Sequence, residues 1–142
     1  MLNLSLSECP KPEEFPSELA GLRMTRQRRE VLSILMSERS HPTANEVFHK
    51  AQERMPKISL ATVYNCLEAL SGHEIIKQVN FDREPTRYCP NLEDHCHFQD
   101  EKTGVIHDVA FRKGVRLEDF LELPQGTDIS HLEISLKGHF GS

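Results

Sequence analysis

Apolar residues recur at helical spacing in three stretches of the chain, and a hydroxyl residue suited to cap a helix precedes each stretch. Thr25 precedes the first stretch, Thr43 the second and Ser59 the third. Pro56 and Gly72 are the expected ends of the second and third helices. The apolar positions that define the three buried faces are Val31, Leu32, Leu35, Met36, Val47, Phe48, Ala51, Leu60, Val63, Leu67 and Leu70.

Alternating apolar and polar residues then predict β-structure in the rest of the chain. The segments IIKQVNF and TRYC flank a DREP turn and predict a hairpin after the third helix. The segments DHCHF and GVIHDV flank KTG and predict a second hairpin, and HLEISLKG predicts a half-buried strand. Short helices are expected over 17–23 and 117–123.

Three closely connected helices followed by a hairpin are typical of a winged helix-turn-helix. We therefore predict an α+β protein with a flexible arm over 1–16, a winged-helix DNA-binding domain over 17–90 and a small α/β dimerisation domain over 91–142. The last domain is too small to bury a good core alone, which predicts a homodimer.

Charge is distributed unevenly along the chain. The net charge is −5, but residues 19–90 carry +3 and residues 91–142 carry −5. This division is suited to nucleic acid in the first domain and to cations in the second. No long apolar run, signal peptide or C-x-x-C pair is present among the 142 residues, which predicts a cytoplasmic protein without a disulfide framework.

The outward face of the third helix is small and polar, as a helix in a DNA major groove requires. Cations crowd the first turn of the first helix against its dipole, which favours contact with phosphates. Arg83, at the turn of the first hairpin, is suited to a minor groove, although an exposed turn arginine is an equal interpretation. The predicted contacts to double-stranded, palindromic operator DNA are Thr25, Arg26, Gln27, Arg28, Ser59, Ala61, Thr62, Tyr64, Asn65 and Arg83.

The second hairpin predicts a metal site. His95 and His97 are two residues apart, so both rings leave the same face of a strand, and the return strand brings Asp108 back towards them. Two imidazoles and a carboxylate are suitable ligands for a divalent metal. A solvated polar hairpin is the alternative.

Together, five motifs resemble the ferric uptake regulator (Fur) family over roughly residues 17–140, namely MTRQRREVLSIL, HPTANEVF, SLATVYNCLEAL, RYCPN and DHCHF followed by GVIHDV. The resemblance implies a dimeric, metal-dependent transcriptional repressor. The motif HPTA and the spacing of the histidines and the aspartate are most similar to the peroxide-sensing PerR branch. Carried over by position, the regulatory ligands of that branch are His41, Cys89, His95, His97 and Asp108. The implied cofactor is one divalent metal per subunit, Fe²⁺ or Mn²⁺, with Zn²⁺ as the other choice.

Two features depart from the family pattern. Cys89 replaces the carboxylate of the peroxide and iron sensors and resembles the zinc-sensing members, since a thiolate favours zinc. Asp100 and Thr103 occupy the positions of the first C-x-x-C pair, so no structural Cys₄ zinc site is expected.

Three functions follow. The first is a peroxide-responsive repressor that is not an enzyme. The second is a regulator that responds to zinc or to oxidation of Cys89 and Cys96. The third is a cysteine hydrolase that uses Cys89, His95 and Asp108.

Overall fold

The computed structural model describes residues 10–37, 41–90, 95–130 and 132–140. The chain divides into two compact units, Met1–Leu92 and Glu93–Ser142, and each is described here by itself. Residues 1–9 of the predicted arm, and Asp94 and His131 at the starts of two predicted strand segments, lie outside the described residues. None of the helices in the described ranges is long and apolar enough to cross a membrane.

Three helices form the core of the first unit, as the apolar pattern predicts. They are α1 (Arg26–Ser37), α2 (Ala44–Arg54) and α3 (Leu60–Gly72). Their apolar faces meet in one cluster, and the fully buried side chains of this cluster include Val31, Leu32, Leu35, Val47, Val63, Leu67 and Leu70. Cys66 belongs to the same cluster, on the inner side of α3.

The predicted N-caps are confirmed for all three helices. The side-chain oxygens of Thr25, Thr43 and Ser59 each accept a hydrogen bond from the backbone N–H three residues later, at 3.3, 3.2 and 3.1 Å. The spacing of Thr43 and Glu46 is typical of a reciprocal capping box, in which the glutamate side chain accepts from the backbone N–H of the cap residue. The carboxylate of Glu46 instead lies 3.8 Å from the guanidinium of Arg87.

Helix α3 ends at Gly72, as predicted, but a different residue adopts the left-handed conformation after it. Gly72 is still helical, and the left-handed residue that ends the helix is Glu74, with φ of +57°. The N–H of Glu74 donates to the carbonyl of Ser71, and the N–H of Ile75 donates to the carbonyl of Leu70. This pair of hydrogen bonds is a Schellman motif, in which glycine is the usual left-handed residue.

The helix predicted over 17–23 is wrong. This segment is a ribbon of two short strands, β1 (Glu18–Leu19) and β2 (Leu22–Arg23), joined by Ala20 and Gly21, whose φ angles are +50° and +80°. Positive φ at both central residues is the geometry of a tight hairpin turn, and a helix cannot include it. The predicted arm is also partly ordered, since 12–14 form a 3₁₀ turn and Phe15 is buried in the core.

The predicted wing follows α3 in the first unit. Strands β3 (Lys77–Val79) and β4 (Arg87–Cys89) are antiparallel, with Gln78 opposite Tyr88. Arg83 lies in the connection, where its φ of +63° marks a turn residue. Three helices and this hairpin complete the winged helix-turn-helix.

The second unit is built on a three-stranded sheet in the order β6-β5-β7. Strand β5 (His95–Asp100) pairs antiparallel with β6 (Ile106–Ala110) and parallel with β7 (Ser135–Gly138). The predicted helix over 117–123 is a single 3₁₀ turn, Leu117–Phe120. The last strand is shorter than predicted, and in the single chain it is not half-buried, because Leu132 and Leu136 are 43% and 44% exposed.

Candidate metal centre and nucleic-acid interface

One face of the sheet in the second unit brings three potential metal ligands together. His95 and His97 alternate along β5, so their rings leave the same face. His97 is directly opposite Asp108 on β6, which places the carboxylate on that face as well. The hairpin therefore forms the cluster that the spacing predicts.

The donor atoms of this cluster lie at the separations that a bound metal imposes. The Nε2 atoms of His95 and His97 are 3.0 Å apart, and they lie 3.4 and 3.3 Å from Oδ1 of Asp108. Ligand atoms about 2.0–2.2 Å from one metal ion are separated by roughly 2.9–3.5 Å. The three atoms can thus form one triangular face of a coordination sphere without rearrangement.

Burial of the cluster is uneven. The side chains of His95 and His97 are only 2% and 6% exposed, whereas that of Asp108 is 34% exposed. The two imidazoles therefore face each other and the carboxylate in surroundings from which water is largely excluded.

A second pair of potential ligands lies in the first unit. An imidazole nitrogen of His41 and Sγ of Cys89 lie within 4.8 Å of each other, and the two residues are 5% and 1% exposed. Cys89 is the last residue of β4. The segment after His41 is attached to the same strand by a hydrogen bond of 3.0 Å from the N–H of Tyr88 to the carbonyl of Pro42.

The remaining described cysteines are poorly suited to redox chemistry. Cys66 and Cys96 are both buried, and burial raises the pKa of each thiol above its ordinary value. A raised pKa keeps the sulfur protonated at neutral pH, where the thiolate is the reactive form.

The outward face of α3 is available for contact with DNA. Ala61, Tyr64 and Asn65 are exposed, and Thr62 is half-buried beside them. Glu68 continues the same face one turn later and is also exposed. Tyr64 is 43% exposed, so its ring contributes little to the packing of the core and is accessible to a partner.

The cations in the first turn of α1 divide into two groups. Arg28 donates to the carbonyl of Arg23 at 2.8 Å, and Arg29 donates to that of Met24 at 3.0 Å. These bonds attach the preceding segment to the first turn of α1. The sequence prediction did not include this structural role for Arg28 and Arg29. Arg26 and Gln27 remain exposed.

Lys57 is a candidate for phosphate contact that the sequence prediction missed. It lines a cleft of about 390 Å³ together with Arg26, Gln27 and Thr62. Neither Lys57 nor Arg26 forms an ion pair within the described part of the chain. The available signal was the position of Lys57, two residues before the cap of α3.

Comparison with known proteins identifies the family of the chain. The profile of the ferric uptake regulator family matches residues 19–137. The chain is 31% identical over 119 residues to the peroxide-responsive repressor PerR of Staphylococcus epidermidis, an alignment that spans 84% of this chain and 79% of that protein.

Solved structures give the same result. The chain superposes on the peroxide stress regulator of Campylobacter jejuni with a TM-score of 0.66 and 29% identity, over 82% of this chain and 87% of that one. For a zinc-bound manganese uptake regulator the values are 0.65 and 28%, over 92% and 98%. With a winged helix-turn-helix, a histidine-rich second unit and a family profile that matches most of its length, the chain belongs to the ferric uptake regulator family.

Proposed function

We propose that the chain is a cytoplasmic, metal-dependent repressor that binds palindromic operator DNA as a homodimer and releases it on peroxide stress or loss of metal. The observation that carries this proposal is the triangle of donor atoms from His95, His97 and Asp108, 3.0–3.4 Å apart. Members of the family are metal-responsive transcriptional regulators that act as dimers on operator DNA, not enzymes. The cysteine hydrolase is therefore set aside, and a sulfur on a residue only 1% exposed is also a poor nucleophile.

The proposed ligands are His95, His97 and Asp108 of the second unit with His41 and Cys89 of the first. The support lies within each unit: three converging donors in one, and a histidine and a thiol within 4.8 Å in the other. Two or three imidazoles with a carboxylate are suited to Fe²⁺ or Mn²⁺, and adding a thiolate shifts the preference towards Zn²⁺. A metal with ligands in both units would favour whichever arrangement of the units holds all the ligands, and so control DNA binding.

Peroxide sensing depends on which ligands surround the ion. His95, His97 and Asp108 would hold Fe²⁺, which would supply the electron that reduces hydrogen peroxide next to these side chains. The rings of His95 and His97 are in the position to be oxidised, since their Nε2 atoms are 3.0 Å apart and both lie beside Asp108. An oxidised imidazole binds metal poorly, so the repressor loses its metal and its DNA.

A zinc-responsive regulator is the second candidate, and Cys89 favours it. A thiolate with two or three imidazoles is a common zinc environment, and the relative bound to zinc is 28% identical to this chain. The thiol-based variant of this candidate has less support, because burial raises the pKa of the Cys96 thiol and lowers its reactivity.

On DNA, we propose that Tyr64 and Asn65 of α3 read base edges, with Ser59, Ala61 and Thr62 beside them. We propose that Thr25, Arg26, Gln27 and Arg28 hold phosphates and that Arg83 enters a minor groove. The exposed outer face of α3 supports the base contacts. The hydrogen bond of Arg28 to the Arg23 carbonyl uses one nitrogen of its guanidinium and leaves other donors for a phosphate.

The deciding experiment measures DNA binding by the metal-free chain after addition of Fe²⁺, Mn²⁺ or Zn²⁺ separately, on operator DNA obtained by selection. We expect binding only with metal, and release by hydrogen peroxide only from the iron form, with oxidised histidine detected by mass spectrometry. Iron-loaded protein that keeps its DNA under peroxide and contains no oxidised ligand would refute peroxide sensing. If the protein instead releases its DNA only when zinc is removed, the zinc-responsive regulator is supported.

A further inference from the structure

His41 adopts a backbone conformation that its position in the sequence disfavours. Its φ is +58°, in the left-handed region that residues with a side chain avoid because of contact with their own backbone. Pro42 follows it, and a proline restricts the preceding residue to extended backbone. Such a conformation persists only where neighbouring groups hold it, and it commonly marks a functional position.

Arg87 supplies a contact that holds this conformation. Its Nη1 donates to the main-chain carbonyl of His41 at 3.1 Å, across 46 positions of the sequence. The same residue forms an isolated β-bridge with Thr43, and the next residue, Tyr88, donates to the carbonyl of Pro42. Strand β4 therefore fixes the chain immediately after His41, while the Arg87 side chain fixes the His41 carbonyl itself.

The charge of Arg87 does not explain its presence. A guanidinium beside a cation site repels the cation, and this side chain is only 23% exposed, so water screens it incompletely. Glu46 lies 3.8 Å away and offsets the repulsion in part. What arginine offers here is a planar, rigid group whose Nη1 is aimed at the His41 carbonyl, whereas lysine carries a compact ammonium on a flexible stem.

We propose that Arg87 is a positioning residue for the regulatory metal: by binding the carbonyl of His41 it holds this residue left-handed and presents the imidazole beside Cys89. This rests on the proposed function, in which His41 is a ligand. Groups that orient a ligand without touching the metal contribute about 10- to 100-fold to metal affinity.

The test titrates Co²⁺ into the metal-free, full-length chain and compares Arg87→Met, Arg87→Lys and the control Arg54→Met. Arg54 also pairs with a glutamate in the first unit, at 3.3 Å from Glu30, but makes no contact with His41. We expect both Arg87 variants to bind Co²⁺ about 10- to 100-fold more weakly and the control to bind it as the wild type does. Thermal unfolding of each variant reports its folding, and if Arg87→Met does not fold, Arg87→Lys decides alone.

A double-mutant cycle separates positioning from a general structural effect. In a His41→Ala background, Arg87→Met or Arg87→Lys should cause no further loss of Co²⁺ affinity, because the group that Arg87 holds is gone. An equal loss in both backgrounds, or wild-type affinity in the Arg87 variants, would refute the positioning role and leave the ligand set intact. If His41→Ala alone leaves Co²⁺ affinity unchanged, His41 is not a ligand, and the proposed ligand set is wrong.

Discussion

Replacing Cys89 by serine tests whether its sulfur binds the regulatory metal. Cys89 is 1% exposed at the end of β4, and serine has nearly the same shape without the affinity for soft metals. The ordinary pKa of a cysteine thiol is about 8.5, so the thiol carries a proton at neutral pH and must lose it to bind a metal as thiolate. Histidines above about pH 7 and carboxylates have no comparable proton to lose.

The expected magnitude follows from this proton. If Cys89 binds Zn²⁺ as thiolate, the affinity of the wild type rises about tenfold, or about 1.4 kcal/mol, for each pH unit between about pH 7 and pH 8. Cys89→Ser should lower the affinity and remove most of this slope, because the variant has no thiol proton for zinc to displace. The buried hydroxyl should also cost about 1–3 kcal/mol of stability.

Cys66→Ser is the matched control. Cys66 is 4% exposed, so this variant also replaces a buried sulfur by oxygen. Its loss of stability should therefore be similar to that of Cys89→Ser. Cys66 is not among the proposed ligands, so its variant should keep both the zinc affinity and the pH slope of the wild type. Zinc affinity is measured by competition with a chelator at several pH values, and stability by urea unfolding without metal.

A flat pH dependence in the wild type, with zinc affinity unchanged in Cys89→Ser, would show that Cys89 does not bind the metal. The zinc interpretation would then fail, and the ligands would be three histidines and a carboxylate, which are suited to iron or manganese.

Three further predictions concern DNA, assembly and helix capping. Tyr64→Ala should weaken binding to operator DNA by about 1–3 kcal/mol in fluorescence anisotropy and leave binding to random DNA unchanged, since the exposed ring contacts base edges; equal losses on both would contradict base reading. Light scattering should report a dimer with or without metal, because Leu132, Leu136 and Phe140 expose 43–57% of their surface in one subunit; a monomer that still binds operator tightly would refute this. Glu74→Gly should raise the free energy of unfolding by roughly 0.5–1 kcal/mol in urea, since glycine adopts φ of +57° without strain; a decrease would show that the glutamate side chain contributes more than its backbone costs.

The features that depend on residues close together in the sequence could be predicted. The helices α1 to α3 follow from the spacing of apolar residues and from hydroxyl residues that cap the N–H three positions later. Each of these signals involves residues only a few positions apart in the sequence. The triangle of His95, His97 and Asp108 was predictable for the same reason, because it needs only strand alternation and a short hairpin. The assignment of these residues to a regulatory metal came from the resemblance to the family.

Contacts that depend on the folded chain could not be predicted from the sequence. The bond from Arg87 to the carbonyl of His41 spans 46 positions, and nothing around either residue indicates it. The crowded cations at the start of α1 predict phosphate contacts, and the carbonyl partners of Arg28 and Arg29, although only five positions away, become apparent only once the preceding segment is folded. The segment 17–23 was predicted as a helix because Ala-Gly is a weaker turn signal than Asn-Gly.

The two faces of β5 limit how this strand can change during evolution. His95 and His97 point to one side, while Cys96 and Phe98 point to the other, where Phe98 packs against Phe140. Inserting or deleting one residue in β5 before Phe98 would reverse the alternation beyond that point and place Phe98 on the side of the proposed metal ligands. The turn over 101–105 has no such constraint, because its residues are exposed and its length does not alter the alternation. Among diverged relatives, changes in length should therefore accumulate at the turn and be absent from the strand.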